Sequence, residues 1–213
     1  MTTKHFLNLR DLSKQDILSI LDRAIERKNQ KQKEKTLVGS KLGLIFEKPS
    51  TRTRISFESG ILNLGGNAIF MSSSDLQLSR GEPVSDTAKV ASSMLDVMAL
   101  RVDKHETLDM FAANSSVPVI NALSDLSHPC QILADLMTFK ENSVNELEKV
   151  CWIGDGNNVC NSYIEASKML DFELSIYCPK EYSPNPSFLN YAKDNSSFAN
   201  SREEAAKGAD IIT

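Results

Sequence analysis

Cysteine is scarce, and its spacing is uninformative as a metal or disulfide signature. Cys130, Cys151, Cys160 and Cys178 are the only four, and no two of them form C-x-x-C. In a chain of this size such cysteines read as reduced, mostly buried thiols of a cytoplasmic protein. Histidine is scarcer still: His5, His105 and His128 show no ligand spacing, which argues against a metal hydrolase. No metal and no cofactor is expected. The chain has no G-K-[ST], which excludes a P-loop kinase. It also has no apolar stretch of membrane-spanning length, and the N-terminus M-T-T-K-H-F-L lacks a signal-peptide core. With a net charge of only -4, no excess of one sign advertises nucleic acid or an anionic membrane as a partner. The one basic run, Lys28 to Lys35, is interrupted by Asn29, Gln30, Gln32 and Glu34 and reads as the end of a solvated helix.

What is present is an ordinary globular balance, 41% hydrophobic and 24% charged over 213 residues, enough for one large domain or two modest ones. Ser13 and Asp16 resemble a capping box, and Ile17, Leu18, Leu21, Ala24 and Ile25 give a helical stripe. Strands are expected at 42–46, 68–71, 97–102, 117–122, 150–153, 172–178 and 209–213. Helices are expected behind the first strand, from Asp86, over 105–113, from His128-Pro129, over 159–170, near 187–194 and from Ser201. Strand and helix alternate throughout, so the fold class is α/β: two doubly wound domains with parallel sheets flanked by helices. The charged stretch Lys140 to Lys149 marks the boundary, giving domains 1–140 and 141–213. A doubly wound domain needs roughly 100–150 residues, more than follow that boundary, so the second domain is expected to be incomplete in this chain.

The chemistry gathers around Phe46 to Gly60, F-E-K-P-S-T-R-T-R-I-S-F-E-S-G. It joins an apolar strand to a helix whose Phe57, Ile61 and Leu64 share one face. A helix start offers unpaired N–H groups and the positive end of its dipole, an anion site before side chains count. Ser50, Thr51 and Thr53 add hydroxyls, and Arg52 and Arg54 add guanidiniums. A plain cap explains the arginines poorly, because two cations in the first turn oppose the dipole. A phosphate explains them well. Ligands of open parallel sheets sit outside the carboxyl ends of strands. Arg101 ends one strand, and His128 and Gln131 follow another, three residues apart on one side of a helix start. A surface arginine is the alternative for Arg101, but its place at a strand end favours a role in a site. His128 with Gln131, taken alone, reads as a capping box. Their convergence favours a site.

S-T-R-T-R followed by Ser56-Phe57-Glu58 resembles the carbamoyl-phosphate loop of the aspartate and ornithine carbamoyltransferases. His128-Pro129-Cys130-Gln131, Leu133-Ala134-Asp135-Leu136 and Arg101 ahead of a helix match the same family in order, so the resemblance spans essentially the whole chain. It implies that residues 1–140 bind carbamoyl phosphate and that 141–213 are the N-terminal part of an ornithine-binding domain. Ser50, Thr51, Arg52, Thr53, Gln77, Arg101, His128 and Gln131 would hold carbamoyl phosphate, with Arg101 and His128 catalytic. Arg54 would be a structural ion-pair partner. The loop from Gln77 through Pro83, then Asp86-Thr87-Ala88, resembles the segment that enters a neighbouring copy's site, which implies a homotrimer. Gly154-Asp155-Gly156-Asn157-Asn158 looks like the ornithine branch, with Asn158 on L-ornithine and Asp155 shaping the turn. The resemblance therefore implies a place in arginine metabolism, with arginine biosynthesis expected and the catabolic direction left open. One departure is large: the family's S-M-G loop and H-C-L-P segment do not occur in these residues, so the chain alone is expected to bind carbamoyl phosphate weakly and turn over little or nothing.

Other readings remain open at this point. Putrescine, an acylated ornithine or aspartate is an alternative acceptor, and a non-catalytic carbamoyl-phosphate-binding fragment is another outcome. A dinucleotide-dependent dehydrogenase is disfavoured, because Val159 stands where G-x-G-x-x-G requires its third glycine.

Overall fold

The structure is a computed structural model that describes residues 3–30, 34–72, 74–76 and 81–213. The chain divides into two compact units, Met1–Leu7 with Asn29–Asp125, and Asn8–Lys28 with Leu126–Thr213. Elements are numbered along the whole chain, and α1 (Lys14–Asn29) packs almost entirely within the second unit.

In the first unit, β1 (Lys41–Phe46), α2 (Thr51–Asn63), β2 (Asn67–Ser72), α3 (Val84–Ser92), β3 (Val97–Arg101), α4 (His105–Asn114) and β4 (Val119–Leu123) alternate. The strands form one parallel sheet ordered β2-β1-β3-β4. β1 is buried at every position from Leu42 to Phe46, as a central strand covered on both faces requires. A Cβ at Gly43 would stand 2.4 Å from Leu95 Cδ1, so that buried side chain would have to shift to admit one. Ile45, Met98, Leu100, Leu108, Phe111 and Val119 form the core on one side of the sheet, and Leu44, Phe46, Ile61 and Ala122 form it on the other. The sheet gains a short extension at β4, where Phe6 bridges Ile120.

The second unit adds α5 (Pro129–Asn142), β5 (Lys149–Ile153), α6 (Asn158–Leu170), β6 (Glu173–Tyr177), α7 (Pro186–Tyr191), β7 (Ser196–Phe198), α8 (Arg202–Ala206) and β8 (Ile211–Ile212). Its sheet is also parallel, in the order β7-β6-β5-β8. Packing groups α1 and α5 with these strands, although α1 precedes the Lys140–Lys149 stretch and α5 begins before it. The α/β reading with two parallel sheets holds. β7 was not anticipated, because Ser196-Ser197-Phe198 carries no apolar run. α7 ends at Tyr191 rather than near residue 194, and α3 begins at Val84 rather than Asp86. The Ser13–Asp16 capping box is present in both directions, each bond 3.1 Å. Among the described residues no helix is long and apolar enough to cross a membrane.

A candidate anion site at the strand ends

Strand order identifies where each sheet can take a ligand. From β1 the chain moves to β2 on one side, then returns to place β3 on the other side of β1. In open parallel sheets such a reversal, outside the carboxyl ends of β1 and β3, is where ligands bind. Phe46, the last residue of β1, lies opposite Arg101, the last residue of β3. The S-T-R-T-R turn and Arg101 therefore start from neighbouring strand ends.

The loops at these strand ends are stitched together. Glu47 N–H donates to the Arg101 carbonyl at 2.9 Å, and Asp103 N–H donates to Glu47 Oε2 at 2.6 Å. Lys48 pairs with Asp103 at 2.8 Å. His105 N–H donates to Asp125 Oδ1 at 2.8 Å, which fixes the loop after β4 against that after β3.

Ser50 occupies the N-cap position of α2 with extended backbone, φ -154°, yet its side chain makes no capping hydrogen bond. The Ser50 hydroxyl is therefore not spent on capping the helix. Thr51 and Arg52 are exposed and Thr53 is half-buried. The two arginines separate. Arg54 Nε bonds Glu58 Oε1 at 2.9 Å, and its guanidinium lies 3.5 Å over the Phe70 ring, a structural placement. No ion pair or hydrogen bond among the described residues holds Arg52. Arg101 is half-buried, and its Nε is buried with no hydrogen-bond partner among the described residues. Burial depresses its pKa. A buried guanidinium nitrogen left unpaired is costly unless an anion completes it. Gln77 lies outside the described residues.

The second unit repeats the logic. Its order reverses at β5, with β6 on one side and β8 on the other, and the loop leaving β5 is Gly154 to Asn158. Asp155 shapes this turn: its carbonyl accepts from Trp152 Nε1 at 3.0 Å and its carboxylate from Asn157 Nδ2 at 3.0 Å. Asn157 caps α6 by accepting from Val159 and Cys160 N–H. Gly156 is required because a Cβ would stand 2.1 Å from Pro184 N, so G-D-G has a packing cause unrelated to a dinucleotide.

His128 is the N-cap residue of α5 but makes no side-chain cap bond, which removes the capping-box explanation for His128 and Gln131. Its N–H donates to Ser162 Oγ at 2.8 Å, and that hydroxyl donates to the Asn158 carbonyl at 2.9 Å. The starts of α5 and α6, carrying His128, Gln131 and Asn158, are thereby joined. Gln131 Nε2 donates to Asp135 Oδ1 at 2.9 Å. Ser162 and Asp135 went unassigned in the sequence, yet each stands four residues from a candidate, Asn158 and Gln131, a readable helical spacing. Among the described residues no cluster of three His, Cys, Asp or Glu side chains could hold a metal.

Fold and site together define a parallel α/β protein with a candidate anion site at its first switch point and a polar loop at its second. The chain belongs to the aspartate/ornithine carbamoyltransferase family: residues 4–141 match its carbamoyl-P binding domain and 147–213 its Asp/Orn binding domain. It is 52% identical to the ornithine carbamoyltransferase of Acinetobacter baylyi, covering 100% of this chain and 71% of that relative. It is 46% identical to the anabolic ornithine carbamoyltransferase of Pseudomonas aeruginosa, with the same two coverages. The crystal structure of the anabolic ornithine carbamoyltransferase from Campylobacter jejuni superposes with a TM-score of 0.92 at 47% identity, over 99% of this chain and 72% of that one.

Proposed function

We propose that this chain carries the carbamoyl-phosphate machinery, and part of the acceptor site, of an enzyme that transfers the carbamoyl group to the side-chain amine of L-ornithine, giving L-citrulline and phosphate. The observation that carries the reading is the pairing of Phe46 with Arg101 at the switch point, which sets an unspent helix start beside a guanidinium with an unpartnered nitrogen. The ornithine assignment is supported by relatives such as that of Acinetobacter baylyi, each an ornithine carbamoyltransferase.

In this reading the phosphate dianion docks on the first N–H groups of α2, with Ser50, Thr51, Arg52, Thr53 and Arg101. His128 and Gln131 meet the carbamoyl oxygen and amino group. The uncharged amine of ornithine, held at its amino-acid end by Asn158, attacks the carbamoyl carbon. A C–N bond forms, the C–O bond to phosphate breaks, and the amine's proton is lost. Negative charge grows on the carbamoyl oxygen, and Arg101 and His128 are the donors aimed to receive it. Phosphate already leaves well, so positioning and electrostatics supply the acceleration. Gln77 from a neighbouring copy completes the donor site, which makes the working assembly a homotrimer in the cytoplasm. A role in arginine biosynthesis accords with the anabolic relatives.

Titration calorimetry of Arg52→Ala against carbamoyl phosphate tests this. Charge-assisted hydrogen bonds are worth roughly 1.5–3 kcal/mol each, so affinity is expected to fall on the order of 100-fold. Unchanged affinity removes the phosphate from α2 and the proposal with it.

A further inference from the structure

The segment Leu133-Ala134-Asp135-Leu136 has no part in the chemistry above, yet Asp135 is tied to Gln131 more specifically than a surface pair needs to be. Asp135 follows Gln131 by one turn of α5. One carboxylate oxygen, Oδ1, accepts from Gln131 Nε2 at 2.9 Å, and the other, Oδ2, accepts from the Tyr163 hydroxyl at 2.9 Å. Tyr163 belongs to α6, is 1% exposed, and lies against Trp152 with ring centroids 6.1 Å apart. A buried tyrosine hydroxyl needs a partner, and Asp135 provides it. The carboxylate is consequently held from a second helix and is not free to swing. Burial, then the neighbouring Asp135, raises the Tyr163 pKa, which keeps this hydroxyl a donor.

From this geometry we infer that Asp135 is a positioning residue which fixes the orientation of the Gln131 amide and thereby sets selectivity for a carbamoyl over an acetyl donor. An ionised carboxylate only accepts hydrogen bonds. Gln131 must therefore turn its NH2 group to Asp135, because the flipped amide would bring two oxygens together. Its Oε1 is left to the ligand, as an acceptor and nothing else. An acceptor at that place matches the NH2 of a carbamoyl group. It finds no donor in the CH3 of acetyl phosphate, which otherwise shares the carbonyl, the phosphate and nearly the same shape. A site built around a hydrogen bond rejects the analogue that lacks it, because its own polar group is left unpaired. The inference rests on the carbamoyl-transfer reading and adds to it the group that decides which phosphorylated carbonyl compound is accepted.

The 213-residue chain and its Asp135→Asn variant are titrated with carbamoyl phosphate, acetyl phosphate and inorganic phosphate, with thermal unfolding as a check on folding. The unmodified chain is expected to favour carbamoyl over acetyl phosphate. Asp135→Asn, which offers Gln131 either a donor or an acceptor, is expected to lose about tenfold of that preference while its affinity for inorganic phosphate stays the same. Tyr163→Phe keeps the carboxylate but removes its second anchor, and is expected to lose about threefold. A pair that only stabilised the helix would weaken all three ligands together or none. A preserved preference in Asp135→Asn overturns the inference and leaves the carbamoyl-transfer reading standing. If Asp135→Asn does not fold, a preserved preference in Tyr163→Phe does the same. Absence of any preference in the unmodified chain overturns the inference alone, and absence of any carbamoyl phosphate binding overturns both.

Discussion

Glu165 carries a carboxyl group placed in the interior. It is fully buried in α6, 2.8 Å from Arg10 Nε, and accepts from Leu9 N–H at 3.1 Å. Arg10 is itself spread over the rings of Phe188 and Tyr191, at 5.3 and 5.5 Å. Burial outweighs the attraction of Arg10 and the Leu9 bond, Asp11 adds repulsion, and the carboxyl is pushed from its ordinary 4.5 up to about 7. A folded-state value above the unfolded one means the folded chain holds its proton longer. The associated stability is fully present below about 4.5 and is lost as pH rises through about 7. The second unit should accordingly unfold more readily at pH 8 than at pH 5, by an upper bound of roughly 3 kcal/mol at 1.36 kcal/mol per pH unit. Glu165→Gln keeps an acceptor for Leu9 and carries no titrating proton. Its unfolding midpoint should stay nearly level between those two pH values, and a slope as steep as that of the unmodified chain would disprove the assignment.

At the scale of elements, α6 separates what was legible from what was not. Its extent was readable from apolar periodicity, which placed a helix at 159–170 against the observed Asn158–Leu170. Its buried face was not readable, because Asn161, Ser162, Glu165 and Ser167 are polar and yet buried. Polar residues go inside when they satisfy backbone groups that have no other partner, and those groups belong to loops distant in sequence. Asn161 takes the Leu126 carbonyl at 3.0 Å and the Asn185 N–H at 3.1 Å, and Ser162 takes the His128 N–H at 2.8 Å. No local pattern announces such partners. Strand ends, by contrast, were legible to within a residue: the run expected over 42–46 ends at Phe46 and that over 97–102 ends at Arg101. Ser162→Ala should leave the His128 N–H without its acceptor at a cost of about 1–3 kcal/mol. Hydrogen exchange should show it as faster exchange at the His128 amide, with β6 protection unchanged. Equal exchange at His128 would mean that Ser162 does not hold the start of α5.

For the molecule as a whole, the two switch points carry unequal shares of the proposed reaction. The first unit assembles the helix start, Arg52 and Arg101 on one sheet whose central strands are both paired on either side. Parallel order in that sheet followed from strand–helix alternation, but the β2-β1-β3-β4 sequence did not, because apolar runs do not say which strand neighbours which. In the proposed reading the second unit contributes His128, Gln131 and Asn158 from the starts of two helices, and Asn158 is the residue assigned to the acceptor. The S-M-G and H-C-L-P segments are not among its 213 residues, and the chain spans 71% of relatives such as that of Acinetobacter baylyi. Binding to the folded state alone raises stability by RT ln(1 + [L]/Kd), so ligands of the first switch point can be told from those of the second by unfolding. Inorganic phosphate and carbamoyl phosphate should each raise the unfolding midpoint, and L-ornithine should leave it where it is. Citrulline formation by this chain should fall far below that of a version supplying the two missing motifs, because the attacking amine is held at one point instead of several and the advantage of orientation is lost. Equal turnover by the two would show that Asn158 suffices to position ornithine, and would move the acceptor site wholly into these residues.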